Sequence, residues 1–101
     1  MILYEVNLTI QDSIFSAYLD WLRPHIKEML TLPGFLSADF WQPTESSSSE
    51  HHQVTIMYHL ATAEAMDNYL ANYAPKMRAD GLARFSGQFT ATRRIMTQLD
   101  W

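Results

Sequence analysis

The apolar residues of this chain change their period along its length, and the order of those changes constrains the fold more than any other feature. They recur at every second position from Met1 and at three- and four-residue steps from Asp12. Alternation returns on both sides of a serine run, gives way to the helical step from Thr62, and resumes up to Met96. Period two marks a strand with one face on a core, and the longer step marks a helix with an apolar stripe, so the chain reads β-α-β-β-α-β. That order predicts an α+β, ferredoxin-like domain over residues 1–101, one antiparallel sheet with its helices on one face. The other face is left open, and a partner must cover it or a ligand must use it.

The first strand has Ile2, Tyr4, Val6, Leu8 and Ile10 on its core face, with Glu5, Asn7 and Thr9 opposite. Asp12 is the expected N-cap of a helix whose stripe is Phe15, Leu19, Leu22, Ile26, Met29 and Leu30. Pro24 interrupts that stripe, so the helix either kinks there or restarts with Pro24 in its first turn. After the turn Leu32-Pro33-Gly34, alternation over 35–42 puts Phe35, Ser37, Asp39 and Trp41 on the open side. Residues 43–50, which include the serine run Ser46–Ser49, offer nothing to bury and are expected to form a mobile connection.

The third strand has His52, Val54, Ile56, Tyr58 and Leu60 on the core face. Thr62 caps a second helix with the stripe Met66, Tyr69, Leu70, Tyr73 and Met77, expected to break at Pro75 and stop at Gly81. In the last strand, over 88–96, Arg93 falls on the apolar side. Its head is expected in water near the strand end, with its stem on the core.

Composition excludes several functions. There is no cysteine, so disulfides, thiolate metal sites and a thiol nucleophile are ruled out. Seven basic against eleven acidic residues leave a net charge of −4, with Arg93-Arg94 the only adjacent basic pair, so no nucleic-acid partner is expected. No apolar run is long enough for a membrane span, and no secretory signal precedes the first strand; the expected location is the cytoplasm. His51 and His52 point to opposite faces and His59 lies far along the strand, so no metal site is expected. A nucleophile elbow, a phosphate loop and a dinucleotide fingerprint are all missing.

The open face carries the candidate chemistry. Parity assigns Glu5, Asn7, Thr55, Met57 and His59 to it, together with Asp39, Trp41, Thr92 and Arg94. Acid, amide, imidazole and guanidinium groups beside a tryptophan resemble the lining of a small-molecule pocket. The candidate ligand-binding residues are therefore Asn7, Asp39, Trp41 and Arg94, with Glu5 and His59 as candidate general bases. In the strand order 4-1-3-2, Glu5 and Arg94 are neighbours, so an ion pair across the sheet is the simpler account of both. Leu3, Phe35, Trp41 and Met57 give the same face an apolar patch that a homodimer would cover.

The opening Met1-Ile2-Leu3-Tyr4-Glu5-Val6-Asn7, the segment Trp21-Leu22-Arg23-Pro24-His25-Ile26, the turn Leu32-Pro33-Gly34-Phe35, the stretch Tyr73-Ala74-Pro75-Lys76-Met77-Arg78 and the end Phe89-Thr90-Ala91-Thr92-Arg93-Arg94-Ile95 carry a resemblance over nearly the whole chain. The chain resembles a family of short bacterial proteins of unknown function, within the dimeric α+β barrel superfamily that includes the antibiotic-biosynthesis monooxygenases. The resemblance implies two ferredoxin-like subunits packed sheet to sheet, and no particular reaction. Haem-degrading proteins of that architecture use a first-strand asparagine, a third-strand tryptophan and a second-helix histidine. Asn7 matches the first, but the third strand has no tryptophan and residues 67–80 no histidine, so no haem or other cofactor is expected. Cofactor-free monooxygenases of the same architecture bind a polyaromatic substrate in an apolar pocket, whereas this open face is charged. The expected function is thus a small homodimer binding a small polar or anionic molecule on the open face. Alternatives are a cofactor-independent monooxygenase-like or isomerase-like enzyme, and a non-catalytic dimer whose open face is its interface.

Overall fold

Alternation along β1 (Ile2–Gln11) and β3 (His51–Leu60) divides the sheet into two unlike faces. Ile2, Tyr4, Val6, Leu8 and Ile10 are buried on one side with Val54, Ile56, Tyr58 and Leu60, and Tyr4, Ile10, Ile56 and Leu60 are the largest fully buried side chains. The computed structural model describes residues 1–45 and 48–101. Its remaining elements are a 3-10 turn (Asp12–Ile14), α1 (Phe15–Met29), β2 (Phe35–Trp41), α2 (Ala63–Asn72), α3 (Ala74–Phe85) and β4 (Phe89–Thr97). The strands pair antiparallel in the order β2-β3-β1-β4. Tyr18, Leu22 and Met29 of α1, Met66 and Tyr69 of α2 and Met77 of α3 join the strands' buried residues in one core, so all three helices lie on the same face. This is the ferredoxin-like α+β fold that the period order predicts.

Local rules decide where elements begin and end, with three departures from expectation. Asp12 does not cap α1; it opens the 3-10 turn, and its carboxylate lies 2.6 Å from His52 Nε2 instead. Pro24 neither ends nor restarts α1, which runs through it, because Tyr18, Leu22 and Met29 on both sides of it remain packed on the sheet. Pro75 does divide the second helical stretch: α2 ends at Asn72 and α3 starts at Ala74, where the proline's missing N–H costs nothing. Gly81 does not stop α3, which continues to Phe85. The cap at Thr62 is as expected, its hydroxyl accepting from the Ala65 N–H at 3.1 Å.

Two strand assignments are also corrected. A β-bulge between Phe35 and Ser37 leaves Leu36 out of register, so Phe35 pairs with Leu60 and is buried in the core rather than lying on the open face. From Ser37 onward the expected parity holds, with Ser37, Asp39 and Trp41 opposite His59, Met57 and Thr55. Arg93 is not near the end of β4; it pairs with Val6 in mid-strand, although it is exposed as expected. The mobile connection expected over 43–50 includes Ser46 and Ser47, which lie outside the described residues. At its far end, Glu50 accepts the Asp12 N–H at 2.8 Å through its carbonyl. Among the described residues, no helix is long and apolar enough to cross a membrane.

Candidate functional site

Strand register brings the candidate residues of the open face together in two groups. Glu5 stands opposite Met57 on β3 and Arg94 on β4, and Asn7 opposite Thr55 and Thr92. Thr55 Oγ1 donates to Asn7 Oδ1 at 2.7 Å, and Asn7 Nδ2 donates to Glu5 Oε2 at 2.9 Å. Arg94 Nε donates to the same oxygen at 2.6 Å, and its Nη2 to Glu5 Oε1 at 3.4 Å. Glu5 is only 5% exposed, yet its cover is this single layer of polar side chains. The guanidinium of Arg94 and the Asn7 amide hold its carboxyl below the ordinary 4.5, outweighing the opposing effect of burial. Glu5 is therefore a carboxylate held ionised by its Arg94 and Asn7 donors, which makes it a structural partner and a weak base.

The second group is His59 and Asp39, with His59 Nε2 2.8 Å from Asp39 Oδ2 across the β2–β3 ladder. Trp41 joins neither group and projects 59% exposed at the end of β2. Between these polar groups, Leu3, Met57 and Met96 are half-buried on the same face. Of the other histidines, His52 stacks on Phe15 with ring centroids 4.1 Å apart. Among the described residues no three His, Asp or Glu side chains converge as metal ligands.

The opposite face holds a site that the sequence reading missed. Tyr4 and Tyr58 point from the sheet, Tyr18 from α1 and Tyr69 from α2, and they close around a cavity of about 50 Å³ beneath Arg78 and His25. Arg78 Nη2 donates to Tyr4 Oη at 3.1 Å, while its Nε is buried without any partner. Burial raises the Tyr18 hydroxyl to about 12 and pushes those of Tyr58 and Tyr69 up as well. At neutral pH these three phenols are proton-bearing hydrogen-bond groups. His25 stacks on Trp21 at 4.6 Å, and burial lowers its pKa against the opposing pull of Glu28 and Asp80, favouring the neutral ring. The lining contains no carboxylate. The available signal was the set of tyrosines at core-facing positions, since each buried hydroxyl needs a polar neighbour that an apolar stripe does not provide.

The family model described as Domain of unknown function (DUF4286) matches residues 1–99. No curated protein matches the chain. Solved structures with the same fold include an antibiotic biosynthesis monooxygenase, with TM-score 0.71, 13% identity and coverage of 99% of this chain and 100% of that one. The cofactor-independent oxygenase SnoaB from Streptomyces nogalater aligns with TM-score 0.61 and 13% identity over 99% of this chain and 95% of its own. An ethyl tert-butyl ether (ethd) family protein from Bacillus halodurans aligns with TM-score 0.64 and 16% identity over 98% and 100%. At such identities the likeness establishes the fold and leaves the chemistry open.

Proposed function

The chain belongs to the family described as Domain of unknown function (DUF4286), and from that premise we propose that it is a homodimeric small-molecule-binding protein. Its ligand docks a polar head group in the cavity between the sheet and the helices, and its open face is the contact between subunits. What supports this division is how each face uses its polar groups. On the open face Glu5, Asn7, Thr55 and Arg94 satisfy one another, as do His59 and Asp39. Beneath the helices, a buried guanidinium nitrogen faces tyrosines with its donor unused. A buried donor left without an acceptor costs on the order of 1–3 kcal/mol, which an arriving acceptor recovers.

Methyl NMR of the intact protein against a metabolite library tests this reading. Binding in the cavity perturbs Val6, Leu8, Leu22 and Ile56, whereas binding on the open face perturbs Leu3, Met57 and Met96. Absence of any hit would remove the ligand-binding function. The exposure of the Arg94 side chain, 66%, favours a second reading, in which Asn7, Asp39, Trp41 and Arg94 hold a small anion on the open face beside Glu5 and His59. Shifts confined to the open-face methyls, lost in Arg94→Lys, would establish that reading instead. An oxygenase-like activity of the kind named for the Streptomyces nogalater protein would have its substrate reach neutral His25, which lines both the interior cavity and the cleft between α1 and α3 and is the group there suited to take up a proton.

A further inference from the structure

We infer that the ligand of the interior cavity is an organic anion whose single carboxylate-like head docks on Arg78 and whose flat body lies past Trp21, between α1 and α3. The inference rests on the cavity being the ligand site and adds its chemical class and direction of approach.

Charge carries the first step. The chain is acidic overall, at −4, yet no Asp or Glu lines the cavity, while Arg78 and Arg93 both do. The ion pairs among the described residues are His52–Asp12, His59–Asp39 and Arg94–Glu5, and Arg78 is in none of them. Arg93 is exposed and its charge is solvated by water, whereas the Arg78 Nε is buried and unpartnered. A guanidinium with Nη2 fixed on the Tyr4 hydroxyl and Nε free presents a directed donor, and an anionic oxygen is the acceptor that gains most from it. Tyr18, Tyr58 and Tyr69 keep their protons, so none of them is a competing anion.

Size carries the second step. About 50 Å³ accommodates a few water-sized groups, which suits a carboxylate and excludes a ring. Outside it, a cleft of about 500 Å³ runs between α1 and α3; Asp20, Glu28 and Asp80 line it with Arg84, so it suits the uncharged body of the ligand and leaves the anionic head to Arg78. Trp21 and His25 line both spaces, so they form the partition between them. The Trp21 indole lies against Gly81, where an added Cβ would come within 3.1 Å of its Cη2. A flat ligand body would enter on the line that the stacked indole and imidazole now occupy.

Benzoate and its neutral isostere benzamide separate these claims when titrated into the intact protein, with methyl and indole resonances followed by NMR. Benzoate is expected to perturb Val6, Leu22 and the Trp21 indole, and to bind at least about tenfold tighter than benzamide. In Arg78→Met that preference should vanish, and Arg78→Lys, which keeps the charge and loses the fork, should retain part of it; the lysine variant decides if the methionine variant does not fold. Equal affinity for the two probes, or a benzoate preference untouched in either variant, would overturn the anion assignment and leave the cavity as a neutral-ligand site. Benzoate shifts at Val6 and Leu22 without any at Trp21 would overturn the approach past the indole. Failure of both probes to reach the cavity methyls would overturn this inference and the cavity reading together.

Discussion

At Gly34 the backbone takes a φ of +82°, and an added Cβ would overlap that of Ala65 at the start of α2. Gly34→Ala is therefore expected to combine a left-handed backbone cost of about 1–2 kcal/mol with an overpacking cost of about 1–3 kcal/mol, read as a lower urea midpoint. Adding Ala65→Gly should recover only the overpacking part, and full recovery would show that backbone conformation contributes nothing. Glu5 makes a different kind of claim. Its folded pKa lies below the ordinary 4.5, so the carboxylate contributes stability above that value and loses it as pH falls through the folded pKa. The stability advantage of the wild type over Glu5→Gln should thus be full near pH 6 and shrink toward about pH 3. Melting temperatures measured across that range check it, and a difference independent of pH would mean that the Arg94 contact does not hold the charge. Both residues were readable only in part. Parity placed Glu5 and Arg94 side by side, but nothing local in the sequence sets Ala65 against Gly34, because that contact joins a turn to a helix thirty-one positions away.

Elements whose signals are local were legible, and those whose limits depend on packing were not. Thr62 is followed by a helical stripe, and its cap forms as such a sequence predicts. Thr62→Ala should cost about 1 kcal/mol, seen as a fall of several degrees in melting temperature, and an unchanged melting temperature would mean that solvent replaces the hydroxyl at no loss. The two prolines carry the same local message yet give opposite results. Pro75 begins a helix and Pro24 sits inside one, and only the burial of Tyr18, Leu22 and Met29 on a single line explains why α1 continues. The bulge at Leu36 is invisible to a period count, since one extra residue inverts parity, and it turns Phe35 from an open-face residue into a core residue. The interior cavity escaped for the related reason that it needs β1, β3, α1, α2 and α3 to converge before four tyrosines and an arginine become neighbours.

On the scale of the molecule, one layer of helices covers one face of the sheet, and no helix or strand among the described residues covers the other. The largest extents are 38 and 33 Å against a thickness of 18 Å, so the uncovered face offers room for the roughly 800 Å² per partner of a standard interface. Leu3, Met57 and Met96 lie there half-buried and Trp41 exposed, around polar groups that already satisfy each other. A second copy related by a two-fold axis is the partner that such a surface always has at hand. Loss of Phe35 to the core removes one member of the expected apolar patch, but the addition of Met96 restores its width on the β4 side. Sedimentation equilibrium at micromolar concentration should therefore give about twice 11.7 kDa. Met57→Lys provides the sharper test. Met57 stands opposite Glu5 and Asp39, so a lysine there has acidic neighbours within the subunit and should leave the fold intact, while two copies meeting face to face would bury the new charges. The expected result is a variant with unchanged circular dichroism that sediments as a monomer; a dimeric variant, or a monomeric wild type, would remove the open face from the subunit contact.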